Sequence, residues 1–331
     1  MSNFSKKHVK VLKMVEGKPL ELSGTREAYG KTLMELGRKN KDIVVLDADL
    51  SASTKTGMFA KEFPERFFNM GVAEQDMIGT AAGLALGGKL PFASTFAVFL
   101  TGRAWEQIKQ SICIPNLNVK LVASHGGVTV GEDGASHHCN EDFSLMRVLP
   151  NMTVICPADA VETEKIIREI AKYKGPVYVR LARAKFPIIF DDNYVFNIGH
   201  ANIVKDGTDL TIICIGIAVY YSLVAAEKLE SQGISVRVIN MATIKPIDRE
   251  AIIKASEETG AILTVEEHSI IGGLGSAVAE VVSQTKPAIM KFLGVPDEFT
   301  LSGSSDDLLD YVGLRADNIA QAAKEFLSKK S

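Results

Sequence analysis

The chain has 331 residues, 46% hydrophobic and 23% charged. This is an ordinary globular composition, and the length implies two domains with ample chain to bury a core in each. The formal net charge of −3 argues against nucleic-acid or membrane attachment through overall charge, while leaving room for local basic sites that hold phosphate.

The first twenty residues read as a polar arm, with lysines but no apolar run of signal-peptide length. Downstream, apolar stretches are broken by Lys, Gly or Glu before they reach membrane-helix length. Cys113, Cys139, Cys156 and Cys214 form no CxxC pair, which argues against a disulfide framework or a thiolate metal cluster. A soluble protein of the reducing cytoplasm is the expectation. Short β-branched runs then alternate with longer helical patterns. Strands are expected at Ile43 to Leu46, Leu90 to Ser94, Val119 to Ala123, Thr153 to Cys156 and Val177 to Leu181. Helices are expected at Glu27 to Lys39, Glu74 to Leu86, Arg103 to Ser111 and Val161 to Ala171. The alternation predicts an α/β fold, with a parallel sheet covered by helices on both faces.

The segment Phe186 to Gly199 is weakly periodic and marks the expected boundary, giving units over 21–190 and 191–331. A second series follows. Its strands are Leu210 to Cys214, Val236 to Ile239, Ile262 to Val265 and Ile289 to Leu293, and its helices are Ser222 to Gln232, Arg249 to Glu258, Gly275 to Ser283 and Ala316 to Lys329. The architecture expected is two successive doubly wound domains.

Chemistry concentrates in two places. Glu74 opens a helix of small residues in GVAEQDMIGTAAGLALGG. By position alone it is a first-turn acid favoured by the helix dipole, worth about 0.3–1 kcal/mol. The next strand runs into PFASTFAVF, so Phe96 and Phe99 stand three apart just past its carboxyl end. Two core aromatics would explain them, but ligands of open α/β sheets bind at that edge. The second place is ASHGGVTVGEDGASHH, which puts His125 and His137 twelve apart around a Gly-rich loop with two acids. Composition alone admits a metal site from His125, Asp133, His137 and His138.

GVAEQDM followed by STFAVFLTGRAWEQI resembles the pyrimidine-binding domain of the transketolase family of thiamine-diphosphate enzymes, and the resemblance runs over nearly the whole chain after residue 20. It implies that Glu74 hydrogen-bonds the pyrimidine of thiamine diphosphate, in a mostly apolar pocket that raises its pKa. It implies that Phe96 and Phe99 form the pocket's aromatic wall, with Phe99 stacked on the ring, and that Asp49 lies near the cofactor or the subunit interface. The GEDGxxH loop matches the family's substrate loop, which makes the metal reading the weaker one. There the resemblance gives His137 the substrate carbonyl and developing alkoxide, Asp133 a sugar hydroxyl, and His125 the phosphate end, and leaves His138 incidental. Arg26, Ser53 and Arg183 resemble phosphate ligands, and the planar fork of arginine suits that task. The family often has an aromatic where Gly102 stands and an acid where Gly126 stands.

The family's divalent cation, Mg²⁺ or Ca²⁺, is held by a Gly-Asp-Gly motif and a later Asn, and the chain has no GDG. The resemblance therefore implies a naturally split enzyme. A partner, the N-terminal transketolase subunit, would supply the diphosphate and metal site in an α2β2 heterotetramer acting on phosphosugars. TIKPID and VEEH with GGLG resemble the family's C-terminal domain, which mainly supports dimerisation. Two related activities are the alternatives: a β subunit of a 2-oxoacid dehydrogenase, or an enzyme like deoxyxylulose-phosphate synthase. His125 disfavours the second, where an Asp-Arg pair usually stands, and the GEDGxxH loop disfavours the first. A non-catalytic regulatory paralogue is a further alternative, against which Glu74, His137, Asp133 and the arginines all argue.

Overall fold

The computed structural model describes residues 21–328. The expected arm over 1–20 and the expected helix end at Lys329 lie outside the described residues. The first half contributes, in chain order, β1 (Leu22–Gly24), α1 (Thr25–Lys39), β2 (Ile43–Asp47), α2 (Ser51–Thr54), α3 (Gly57–Glu62), β3 (Phe67–Asn69), α4 (Glu74–Leu86), β4 (Leu90–Ser94), α5 (Trp105–Gln107), β5 (Lys120–Ala123), α6 (Asp142–Arg147), β6 (Thr153–Ile155), α7 (Ala160–Ile170), β7 (Val177–Arg180) and β8 (Lys185–Pro187). The second contributes β9 (Asn202–Lys205), β10 (Leu210–Cys214), α8 (Ala218–Glu230), β11 (Val236–Asn240), β12 (Thr243–Lys245), α9 (Arg249–Glu258), β13 (Ala261–Ser269), α10 (Leu274–Gln284), β14 (Ile289–Val295), α11 (Ser305–Tyr311) and α12 (Ala316–Leu327).

Two sheets organise these elements. The larger has the order β12-β6-β7-β5-β4-β2-β3, and the smaller β14-β13-β10-β11-β9. Every pairing in them is parallel except β12 on β6 and β9 on β11. Strands such as β2, β4 and β10 are buried along their whole length, as expected when helices cover both faces of a parallel sheet. The α/β expectation holds, with mixed edges. The sequence reading gave no strand at 243–245, yet that segment leaves the second half and completes the first sheet, pairing Thr243 with Ile155. The Lys245 ammonium donates to the Arg147 carbonyl oxygen at 2.9 Å and anchors the crossing. The segment after β8 is no loose tether either. Phe190 and Tyr194 are buried and stacked at 4.1 Å.

The helix expected over Arg103 to Ser111 is not a regular α-helix. Wide i→i+5 turns at Phe99–Arg103 and Ile108–Cys113 flank the single turn of α5. Such turns accommodate an extra residue in a helix and recur at functional sites. Among the described residues no helix is long and apolar enough to cross a membrane.

The sheets are tied together by one buried cation. Arg180 ends β7 with a 3% exposed side chain. Its guanidinium lies 3.5 Å from the Asp142 carboxylate and 3.7 Å from that of Glu267, and donates to the Glu267 carbonyl oxygen at 2.7 Å. It also lies 4.7 Å over the Phe143 ring. Removing one partner of a buried ion pair strands the other charges in a low-dielectric interior. Arg180→Met is therefore expected to destabilise the chain by about 3–5 kcal/mol, read from the urea midpoint at unchanged slope.

Candidate active site

The carboxyl edge of the larger sheet gathers the chemistry. Just past β4, Phe96 pairs with Ser124 as an isolated parallel bridge, and the Ala97 N–H donates to the Ser124 carbonyl oxygen at 2.7 Å. This seats His125 on Phe96, with ring centroids 3.6 Å apart and planes 23° from parallel. His125 takes a left-handed φ of 60°, a conformation non-glycine residues seldom adopt and one found where function demands it. Its Nδ1 shares a hydrogen bond with the Ser124 hydroxyl at 2.8 Å. Burial, reinforced by the positive charges of Arg26 and Arg183, pushes its pKa down to about 3, so the imidazole is neutral at physiological pH.

Glu74 is the first residue of α4 and only 1% exposed. The sequence reading places it in a mostly apolar pocket, but the structure gives it a cation. Arg103 Nη1 donates to both carboxylate oxygens, at 2.9 and 2.8 Å. The same guanidinium lies 4.7 Å from the centroid of Phe99. The wide turn Phe99–Arg103 brings Arg103 back over that ring. Phe99 is also nearly parallel to Phe96 at 5.9 Å and meets His137 edge-on at 5.5 Å. Beside them, a Cβ on Gly102 would meet nothing within 4 Å, so an aromatic there would have open space.

A second cluster holds the candidate phosphate ligands. Arg26, in the first turn of α1, donates to the carbonyl oxygens of Ser53 and Arg183, each at 2.7 Å. Its Nε is buried without a partner, and burial lowers its pKa. Arg183 donates from Nη1 to the Val130 carbonyl oxygen at 2.6 Å and to the Glu132 carboxylate at 2.7 Å. Arg26, Ser53, Arg183 and His125 thus converge on one corner. Ser53 enters it through its carbonyl oxygen.

Asp133 is exposed at the end of the short helix Val128–Asp133, and its charge acts on His138. His138 shares hydrogen bonds with the Thr300 hydroxyl at 2.6 Å and the Gly131 carbonyl oxygen at 2.9 Å, so both ring nitrogens are engaged in anchoring the loop. Among the described residues no group of three or more His, Cys, Asp or Glu could hold a metal ion. Asp49 stands apart from the convergence. It is exposed, has a φ of 63°, and its carboxylate accepts from Asn69 Nδ2 at 3.0 Å.

Gly126 has a physical reason in Arg180. A Cβ there would fall 2.1 Å from Arg180 Nε, and one on Gly127 would fall 2.2 Å from Nη2. Sequence reasoning missed Arg180 and Arg103, whose partners lie far off in the chain. It also missed Asp47, which accepts from the Leu50 N–H at 2.6 Å and from the Thr54 and Thr56 hydroxyls at 2.7 and 2.8 Å, shaping the loop that carries Ser53. An aspartate ending a strand before a Ser/Thr-rich turn is the signal that could have found it.

Residues 23–188 match the family described as transketolase, pyrimidine binding domain, and residues 199–319 match transketolase, C-terminal domain. The chain belongs to the transketolase family. It is 54% identical over 311 residues to a putative transketolase C-terminal section of Methanocaldococcus jannaschii, covering 93% of this chain and 97% of that protein. It is 43% identical to an apulose-4-phosphate transketolase subunit of Phocaeicola vulgatus, covering 92% and 97%. A split gene transketolase solved as an inactive beta4 tetramer superposes with a TM-score of 0.86 at 53% identity, covering 92% and 98%.

Membership of this transketolase family implies dependence on thiamine diphosphate. The residues present suit its pyrimidine end. A buried carboxyl already binds a flat cation that lies on an aromatic ring, and an aminopyrimidine is likewise flat, stacks on such a ring and has a ring nitrogen that can share a proton with a carboxyl.

The state of His125 can be tested directly. Its folded pKa lies below the unfolded 6.5, so its contribution to stability is present above pH 6.5 and is lost as the pH falls, because the unfolded imidazole takes up a proton that the folded one refuses. Histidine NMR is expected to show no titration of His125 between pH 8 and 5. His125→Gln should lose about 2 kcal/mol less stability than the native chain on going from pH 7 to 5.

Proposed function

We propose that this chain is the C-terminal subunit of a transketolase that moves a two-carbon ketol unit from a ketose phosphate to an aldose phosphate. In this reading it is active only with an N-terminal subunit that carries the diphosphate site and its Mg²⁺ or Ca²⁺, in a cytoplasmic α2β2 assembly. The likeness to a split gene transketolase solved as an inactive beta4 tetramer supports that dependence. Residues 21–190 serve as the pyrimidine-binding unit and 191–331 as the supporting unit, with β12 lent across the boundary.

The observation that carries the reading is the buried Glu74 carboxylate, bridged by a flat cation to the Phe99 ring. When bound, thiamine diphosphate supplies the nucleophilic carbon that accepts the ketol unit. Glu74 holds a hydrogen bond to the pyrimidine nitrogen and so sets the protonation of the ring. Phe96 and Phe99 exclude water and fix the ring plane, while Asp49, which stands apart from them, is assigned to the cofactor by family resemblance alone. His137 donates a hydrogen bond to the substrate oxygen on which charge develops, an effect strongest where water is excluded. Asp133 accepts from a sugar hydroxyl. Arg26, Arg183, Ser53 and neutral His125 receive the phosphate, with the arginines supplying charge, the imidazole a directional N–H and Ser53 its hydroxyl rather than the carbonyl oxygen that already holds Arg26.

Two measurements on the assembled enzyme test these roles. Glu74→Ala is expected to lower kcat by about 10²- to 10⁴-fold, and near-normal turnover would remove Glu74 from the mechanism. Arg183→Gln is expected to raise KM for phosphorylated acceptors by about tenfold or more with a smaller change in kcat. An equal loss with unphosphorylated sugars would refute the phosphate role. Pyruvate decarboxylation by the assembled pair without ketol transfer would favour the 2-oxoacid dehydrogenase reading instead.

A further inference from the structure

Arg103 is a residue to which the sequence reading gave no role, and it occupies an unusual position. One nitrogen, Nη1, donates to both oxygens of Glu74 at 2.9 and 2.8 Å. The guanidinium lies 4.7 Å from the centroid of Phe99. These are the two groups that the proposed function assigns to the pyrimidine, one as the partner that shares a proton with the ring nitrogen and the other as stacking face. A guanidinium is planar, delocalised and rich in N–H donors, and it stacks on aromatic rings. An aminopyrimidine is likewise planar, carries N–H donors and stacks on the same kind of surface.

The two partners of the ion pair differ sharply in freedom. The Glu74 side chain is 1% exposed, whereas that of Arg103 is 48% exposed. Only Arg103 can leave into water. Its backbone stays in place, because Gln75 Nε2 donates to the Arg103 carbonyl oxygen at 3.1 Å and ties that peptide to α4. Movement is therefore confined to the side chain. The residue beside it, Gly102, has nothing but its own chain neighbours within 4 Å of where a Cβ would stand. The wide turn Phe99–Arg103 supplies the register that aims both Phe99 and Arg103 at one spot.

The geometry points to Arg103 as a removable stand-in for the aminopyrimidine: it neutralises Glu74 and covers Phe99, the same two groups the ring would use, and it must swing into solvent for the ring to take its place. This rests on the reading of Glu74 and Phe99 as the pyrimidine site. The stand-in avoids leaving a buried carboxylate without a partner, an arrangement that strongly destabilises folded proteins. It also makes each cofactor molecule compete with a tethered side chain for the same carboxyl. Arg103 is thus a positioning residue for Glu74 and a competitor of the pyrimidine. A residue that merely supported the site would weaken cofactor binding when removed. A stand-in does the opposite.

The test is isothermal titration of the cofactor-stripped, assembled enzyme with thiamine diphosphate and Mg²⁺, using the native protein, Arg103→Gln, Arg103→Lys and Glu74→Gln. Arg103→Gln is expected to tighten binding by about tenfold, the scale of one lost charge-assisted hydrogen bond, while lowering the melting temperature of the isolated chain. Arg103→Lys keeps the charge but loses the plane, and is expected to fall between the two. If Arg103→Gln does not fold, the lysine variant decides the matter. Unchanged or weaker binding in the arginine variants, with Glu74→Gln weakened, overturns the stand-in and leaves the pyrimidine reading intact. Unchanged binding in Glu74→Gln overturns the pyrimidine reading and the stand-in with it.

Discussion

The site depends on a positive charge that no solvent reaches. Arg180 sits where β7 ends, between Asp142 of α6 and Glu267 of β13. A buried guanidinium is tolerated only when its charge and donors are met, so these three elements are held in a fixed relation. The constraint propagates. Glu267 also accepts from the Thr129 N–H at 2.6 Å, which fixes the start of the helix Val128–Asp133. That helix supplies the Val130 carbonyl oxygen to Arg183 and presents Asp133. Ser305, from the second half of the chain, donates its hydroxyl to the Thr129 carbonyl oxygen at 2.9 Å. The loop that carries the candidate substrate residues is therefore built jointly by both halves. The glycines at 126 and 127 leave the space that Arg180 fills.

Much of the scaffold was legible because burial on both faces of a sheet requires continuous apolar runs. β2, β4, β10 and β11 fall where such runs fall. The short edge strands were less legible. β12 has three residues, and its pairing with β6 depends on a chain crossing that no local pattern encodes. The turn geometry after β4 was also hidden, since a wide turn and an α-turn share nearly the same apolar period, and the choice decides where Arg103 points. Glu74, Phe96 and Phe99 could be picked out by their place at a strand's carboxyl end. That Glu74 meets a guanidinium rather than apolar walls could not, because the pair spans 29 residues and depends on that turn.

Net charge conceals the electrostatics that matter here. The chain is mildly acidic overall, yet Arg26, Arg103 and Arg183 all stand at one sheet edge with His125 among them. The two arginines nearest His125 help keep its imidazole uncharged. A neutral ring among cations retains both a donor and an acceptor, whereas a protonated one would only add to the crowding of like charge. Burial and charge thus act in the same direction on this residue.

The arginines of the edge are also paired with acids of the same chain. Arg103 rests on Glu74 and Arg183 on Glu132, but the two pairs differ in what holds them. The Arg183–Glu132 pair has side chains 36% and 67% exposed, and exposed pairs of this kind contribute about 0–1 kcal/mol. An anion with more charge and more acceptor oxygens than a carboxylate would displace Glu132 with little loss. The Arg103–Glu74 pair is half in the interior, where its acid has no water to fall back on. An anion arriving at the first pair needs only to displace a solvent-screened charge, while a ligand arriving at the second must replace the donor it removes. The Arg183 corner can therefore exchange one anion for another, whereas the Glu74 corner gives up its partner only for a group that satisfies the buried carboxyl.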